Sequence, residues 1–373
     1  MLFDSVDAIR QRNELRQRAI DRKLKEPEFI NNSFDLELEV LERFERLYEL
    51  NPQVPYFDLK HSNTFPSDMK THTGIDLDRG KTYIFIQQKD VELVKWFSNE
   101  CFSTPISAIK SEYYLKNGYA YRVFENPLYE QEIFNYFSEC KNEIVDFIYK
   151  HAVVLMALHE FAHASNSHVF LRNDRKDLPK EVLRGLEIQA DIIAAIYYAH
   201  SLKEDEQYID TIQKYIRISR TQLKVNSYYT SILLATLAAY ISFRCTIRNN
   251  YYWIGNSDFA LDGYGDHPMT EARMGVIIDV IINNLFPDLG TNENAYIHQL
   301  LRKMIEEFES FYCRNTVNAD AFSKNRQPLK LIETEEGLEY IAKLRSAAER
   351  ADEYLLPYKK YVFYKDECWK PYL

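Results

Sequence analysis

Apolar positions recur every three or four residues along most of the chain, a spacing typical of amphipathic α-helices. Two short stretches, 82–87 (TYIFIQ) and 119–124 (YAYRVF), are instead rich in aromatic and β-branched residues and predict strands. Helices are predicted at 5–25, 34–50, 90–100, 129–167, 181–202, 207–248 (as two helices), 269–286, 291–313 and 334–353. A turn-rich interval, 172–180, follows the longest of them. The pattern therefore predicts a mainly α, α+β fold.

Composition agrees with a helical fold and narrows the class of protein. Only 10 of the 373 residues are glycine, less than half the usual share. The net charge is −10 and no basic stripe with interleaved aromatic residues is present, which argues against a nucleic-acid-binding surface. Five widely spaced cysteines without a C-x-x-C pair indicate reduced thiols. Because no apolar stretch approaches the roughly 20 residues that span a bilayer, we expect a cytoplasmic protein without membrane contact.

One short motif carries specific chemistry. Residues 159–163 read HEFAH, and on a helix of about 3.6 residues per turn His159 and His163 project from the same face. Two imidazoles with an adjacent carboxylate form half of a catalytic zinc site, in which Glu160 is the general base. The preceding residues, 152–158, are all apolar, so this helix is predicted to be buried.

A catalytic zinc site needs a third protein ligand and one open position. The longer H-E-x-x-H-x-x-G-x-x-H pattern does not supply it, because this chain has Asn166 and Val169 where glycine and histidine are required. His168 is therefore interpreted as a helix-end histidine. Glu187 and Asp191 lie four residues apart on the next predicted helix. We favour Glu187 as the ligand, with Asp191 accepting the free N–H of a ligating imidazole; Asp191 as the ligand itself is the alternative.

Other kinds of metal protein fit the sequence less well. A di-iron helical bundle needs a second Glu-x-x-His and two further glutamates, and no second Glu-x-x-His occurs in the chain. Structural zinc generally has four protein ligands that include thiolates, and no cysteine lies near the motif. Two alternatives to a peptidase stay open: a zinc hydrolase of a non-peptide substrate, and a non-catalytic partner-binding protein with a structural metal.

Three elements together resemble a known family. The chain is similar to the gluzincin metallopeptidases in three motifs. They are H-E-x-x-H, the E-x-x-A-D motif that starts at Glu187 within the next predicted helix, and His267-Pro268-x-x-x-x-Arg273. The His-Pro…Arg element is similar to that of HtpX-like and CAAX-prenyl-type membrane proteases and of the soluble Lit-like phage-exclusion peptidases. The Lit-like group resembles this chain best, since it has no membrane spans and a short interval between the second histidine and the glutamate. The resemblance covers roughly residues 80–285.

The resemblance implies a zinc-dependent endopeptidase and assigns roles to single residues. It implies that His159, His163 and Glu187 are the zinc ligands and that Glu160 is the catalytic base. It also implies a second catalytic residue, His267, which donates to the oxyanion. Arg273 is implied to anchor the His267 segment to an acid such as Asp191. Asp191 and Arg273 are then expected to hold the ligands in place without contacting the metal.

The fold implied by the resemblance is a zincin-like catalytic domain over residues 56–286, with a buried metal-binding helix and a small antiparallel sheet. Helical extensions at 1–55 and 287–373 flank it. Either predicted strand, 82–87 or 119–124, is expected to offer its edge to an extended peptide.

The expected partner is a protein or peptide substrate, and the family's behaviour implies cleavage of a host translation factor during phage infection. An unregulated cytosolic protease would harm its own cell. We therefore expect a latent enzyme, with the helical extensions over the cleft and an activating partner or ligand that releases it.

Overall fold

The computed structural model describes residues 40, 43–45, 47, 58–62, 71–76, 81–87, 91, 141–203, 268, 270–285 and 335–361. The strands are β1 (Asp58–Ser62), β2 (His72–Asp76) and β3 (Lys81–Gln87). The helices are α1 (Lys141–Ser165), α2 (His168–Asp174), α3 (Lys180–Lys203), α4 (Thr270–Leu285) and α5 (Glu335–Leu355), which continues as a 3₁₀ helix over Leu356–Tyr361. Outside the described residues lie the predicted helices at 5–25, 207–248 and 291–313 and the predicted strand at 119–124. The same holds for nearly all of the predicted helix at 90–100 and for residues 129–140 of the one predicted at 129–167.

The three strands form a sheet in which β3 is central, in the order β1-β3-β2. β2 pairs antiparallel with β3, whereas β1 pairs parallel with it. The sheet is therefore mixed, and the predicted antiparallel sheet is right for only one of its two pairs. β3 confirms the strand predicted at 82–87, and its buried side chains Ile84, Phe85 and Ile86 are consecutive, as in strands covered on both faces. Because β3 has a neighbour on each side, the prediction that it offers an edge to a peptide is wrong.

The helices pack around α3. Helix α1 contacts both the sheet and α3, and α4 and α5 also pack on α3. The apolar run 152–158 of α1 is buried at every position, which confirms the prediction of a buried helix. A helix surrounded in this way must bury most of its residues, and residues 184–199 of α3 are all buried. The described part of the chain is mostly helical with a small sheet, as predicted.

Helix α5 crosses α3 at very close range. A Cβ atom on Gly185 would overlap the carbonyl group of Ala347, so glycine is what allows the two backbones to approach. Beside this crossing, the amide nitrogen of Gln189 donates to the Ala348 carbonyl oxygen at 2.8 Å. Although α5 belongs to the predicted C-terminal extension, it packs directly on the helix that carries Glu187.

The boundaries of three helices agree with the sequence pattern, whereas the segment that follows the metal motif does not. α3, α4 and α5 begin and end within two residues of their predicted limits. α1 ends at Ser165, and α2 then occupies His168–Asp174, so the predicted turn-rich interval 172–180 is wrong for its first residues. No helix in the described part of the chain is both long and apolar enough to cross a membrane.

Candidate metal centre

The two histidines of the motif face each other across one turn of α1. Their Nε2 atoms lie 3.1 Å apart, and the ring centroids are separated by 4.7 Å in an edge-to-face arrangement. The His159 side chain is 19% exposed and that of His163 is 8% exposed. The site is therefore mostly enclosed, with its more open side at His159.

Glu187 approaches this pair from α3. One carboxylate oxygen lies 3.5 Å from His159 Nε2, and the other lies 3.6 Å from His163 Nε2. Tetrahedral ions with ligands at about 2.0–2.1 Å keep neighbouring donor atoms about 3.3 Å apart, which is close to the three separations observed. These three residues form the one group of histidine, cysteine and acidic side chains among the described residues with the spacing to hold a metal ion.

Asp191, one turn after Glu187, contacts the far nitrogen of His159. Its Oδ1 lies 2.8 Å from His159 Nδ1. Burial lowers the pKa of His159, but the carboxylates of Asp191 and Glu187 outweigh that effect and raise this pKa to about 10. A metal ion at Nε2 takes the place of a proton there, so carboxylates that favour the protonated ring also favour a bound cation.

Arg273 of α4 completes the support behind His159. It donates from Nε to Asp191 Oδ2 at 2.6 Å and from a terminal nitrogen to Oδ1 at 2.8 Å, a bidentate pair that is buried on both sides. Burial raises the pKa of Asp191, but Arg273, and then His159, shift that pKa below its ordinary value. Asp191 is therefore a carboxylate. The same guanidinium group lies 3.5 Å from Glu187, so α4 contributes positive charge beside the candidate ligand.

Glu160 points towards the sheet. The Thr73 hydroxyl of β2 lies 2.7 Å from Glu160 Oε2 and 2.8 Å from the Glu160 carbonyl oxygen. Because a hydroxyl has one proton to donate, these two acceptors share it. Thr73 thereby fixes the carboxylate of the candidate base against the backbone of its own helix.

A second arginine lies beside Glu187. Arg172 of α2 is 3.5 Å from Glu187 Oε1, and its side chain is 45% exposed. Two guanidinium groups thus face the Glu187 carboxylate: that of Arg273 is buried, and that of Arg172 is in contact with solvent.

The far nitrogen of His163 is also occupied, by a residue outside the motif. His163 Nδ1 and His168 Nδ1 lie 3.0 Å apart, and His168 is fully buried. Burial, followed by the neighbouring His163, lowers the pKa of His168 well below its ordinary value. His168 is therefore neutral. It begins α2 and does not end a helix, so the interpretation of His168 as a helix-end histidine is wrong.

The structure brings together five of the seven residues singled out from the sequence: His159, His163, Glu187, Asp191 and Arg273. A sixth, Glu160, is next to His159 in the chain, and its carboxylate contacts Thr73. The seventh, His267, lies outside the described residues, although the adjacent Pro268 is described and buried. Sequence reasoning missed Thr73, Arg172 and the role of His168. Thr73 lies in a polar segment, HTGID, without the alternation that predicts a strand.

Comparisons of the chain with protein-family models, with curated proteins and with solved structures give no match. The functional argument therefore rests on the chemistry of the site.

Proposed function

We propose that this protein is a zinc-dependent endopeptidase of the gluzincin type, with a zincin-like catalytic domain. The observation that carries the proposal is the convergence of His159, His163 and Glu187 on one point, with Glu160 next to the first ligand. Two neutral imidazoles and one carboxylate leave a divalent ion with net positive charge. Three protein ligands also leave one of four tetrahedral positions for substrate or solvent, as in catalytic zinc sites.

In the proposed reaction the chain's own residues handle the proton. Zinc bound by the three ligands supplies Lewis acidity, which acidifies water and polarises a carbonyl group. Glu160 accepts the proton of the attacking water and then delivers it to the amine that leaves. Thr73 holds the Glu160 carboxylate in place, and Asp191 keeps the Nδ1 proton on His159 so that its Nε2 lone pair is available.

An extended peptide fits beside β2 in this proposal. β2 is at one end of the described sheet, so its outer edge is a candidate for pairing with a substrate strand. Thr73 belongs to β2 and contacts Glu160, which means that a peptide along this edge passes next to the base. The substrate we propose is accordingly a protein segment in extended form.

The resemblance to the Lit-like peptidases extends the proposal to antiviral defence. In that role the enzyme is latent, is switched on by an activating partner or ligand during phage infection, and cleaves a host translation factor in the cytoplasm. The support for this biological role is the resemblance of the motifs alone.

The test combines metal analysis with a search for new protein N-termini. Purified protein is analysed for zinc, and lysates of uninfected and of phage-infected cells, treated with wild type or with Glu160→Gln, are mapped for cleavage sites. We expect about one zinc per chain in both proteins and cleavage by wild type alone, because glutamine keeps the shape of the side chain but cannot accept a proton.

Three other outcomes would overturn the proposal. Loss of zinc in Glu160→Gln would mean that Glu160 has a structural role. Bound zinc without any new N-terminus in either wild-type-treated lysate, from uninfected or from phage-infected cells, would favour a non-peptide substrate or a structural metal. Equal cleavage by both proteins would remove Glu160 as the base.

A further inference from the structure

His168 is a buried imidazole that contacts His163 on the side of the ring away from the candidate metal position. The two Nδ1 atoms lie 3.0 Å apart, and none of the His168 surface is exposed. The Gln189 side chain of α3 also interacts with this ring. A buried polar group normally satisfies its hydrogen bonds, and the contact with His163 does so at Nδ1.

The backbone is bent specifically at the point that brings His168 to His163. In a continuous helix, residues five positions apart differ in direction by about 140°, and His168 would point away from the site. Instead α1 ends at Ser165, and Ser167 adopts the left-handed conformation with φ 63° and ψ 14°. Asn166 stabilises the end of α1 by donating to the Ala162 carbonyl oxygen at 2.9 Å. Left-handed non-glycine residues are uncommon and cluster at functional sites.

The placement of protons follows from the proposed metal centre, on which this inference rests. If His163 binds a metal through Nε2, its proton is on Nδ1 and must be donated across the 3.0 Å contact. The acceptor is then the Nδ1 lone pair of His168, whose own proton is on Nε2. A protonated His168 would place one N–H against another, so the ring must be neutral.

We propose that His168 is a positioning residue: a neutral acceptor that fixes the tautomer and the ring orientation of His163 for metal binding. The two ligating histidines then have different supports. His159 is held by the charged Asp191, whereas His163 is held by an uncharged imidazole. This arrangement orients both imidazole rings, and the carboxylate of Asp191 is the one negative charge that the two supporting residues add next to the ligands.

The test measures zinc affinity, by competition with a chromophoric chelator, in the full-length protein. His168→Leu removes the acceptor and fills the space with apolar atoms, while His168→Asn keeps an acceptor oxygen near the position of Nδ1. We expect His168→Leu to weaken zinc binding by about 10–100-fold, as for other residues that orient metal ligands, and His168→Asn to restore most of that loss. The matched control is His151→Leu, which removes another buried imidazole from α1 and should leave zinc affinity unchanged.

The readouts separate this inference from the proposed peptidase. Absence of zinc binding in wild type would overturn the metal centre itself. Tight zinc binding by wild type together with unchanged affinity in His168→Leu would overturn only the role of His168, whatever the catalytic assays show. A folded His168→Asn that binds zinc as weakly as His168→Leu would also contradict it.

A second measurement needs no substitution. Long-range ¹H–¹⁵N correlation spectra of the zinc-loaded protein, with ¹⁵N-labelled histidine, report which ring nitrogen carries the proton. We expect His163 protonated at Nδ1 and His168 protonated at Nε2. A His168 ring protonated at Nδ1 would overturn the inference even if the leucine variant failed to fold.

Discussion

At the scale of single residues, the hydroxyl of Thr73 is what ties the candidate base to the sheet. It lies within 2.8 Å of two oxygens of Glu160, one on the carboxylate and one on the backbone. A carboxylate that must receive and return a proton benefits from a fixed position, because the reacting atoms have to stay within hydrogen-bond reach. Thr73 achieves this without adding charge to the site.

Thr73→Val tests this role, since valine keeps the branched shape and removes the hydroxyl. We expect kcat for the substrate found by N-terminal mapping to fall by about 10-fold or more, in keeping with the roughly 1.5–3 kcal/mol of a hydrogen bond to a charged group. KM and zinc content should not change. Thr73→Ser restores the hydroxyl and should restore kcat. If the valine and serine variants lost activity equally, or if the valine variant lost its zinc, the contact would be structural.

Helical periodicity explains which site residues could be predicted. His159 with His163, and Glu187 with Asp191, are each four residues apart, and a helix brings such residues onto one face. Thr73 and His168 depend instead on a strand with a polar sequence and on a left-handed turn at Ser167, and neither leaves a periodic signal.

At the scale of elements, α3 and α4 are joined by a buried ion pair. Arg273 and Asp191 form two short hydrogen bonds, and both side chains are under 10% exposed. Such a pair adds little stability compared with apolar side chains, yet removing one partner leaves an uncompensated charge in the interior. Its contribution is therefore to hold Asp191 ionised and in register behind His159.

Arg273→Met should lower the free energy of unfolding by about 3–5 kcal/mol, because the Asp191 carboxylate stays buried without its main partner. Urea denaturation in the presence of EDTA measures this on metal-free protein. Arg172→Met is the matched control: that arginine contacts Glu187 but is 45% exposed, so the expected loss is under about 1 kcal/mol. Equal effects of the two substitutions would contradict the buried-pair argument.

The sequence predicts some of these elements and not others, because the prediction depends on the pattern of apolar residues. Helices α3, α4 and α5 and the central strand β3 bury long apolar stripes or runs, and their limits follow from that pattern. β1 and β2 have sequences DLKHS and HTGID, which become strands by pairing with β3 and not through apolar alternation of their own.

At the scale of the whole molecule, parts of both predicted extensions contribute to the core. Phe44 is 3% exposed and its ring lies 4.8 Å from that of Phe161, while Arg43 donates to the Ser201 carbonyl oxygen at the end of α3. Phe161 is two residues after His159, so on a helix it points about 160–200° away from the metal-facing side. Phe44 therefore packs on the side of α1 that faces away from the candidate metal site.

The packing of Phe44 on α1 determines which truncation of the N-terminal extension can test latency. Removal of residues 1–50 takes away Phe44, and we expect that truncation to destabilise the protein by at least the roughly 3–5 kcal/mol of a Phe→Ala change in a core. Removal of residues 1–33 keeps Phe44 and the whole helix predicted at 34–50. If the extension holds the enzyme latent, the truncation that lacks residues 1–33 should cleave substrate faster than the full chain. The same truncation with Glu160→Gln should not cleave it. Urea denaturation should give the same free energy of unfolding for the truncated and the full chain. A longer truncation as stable as the full chain would show that Phe44 does not support α1.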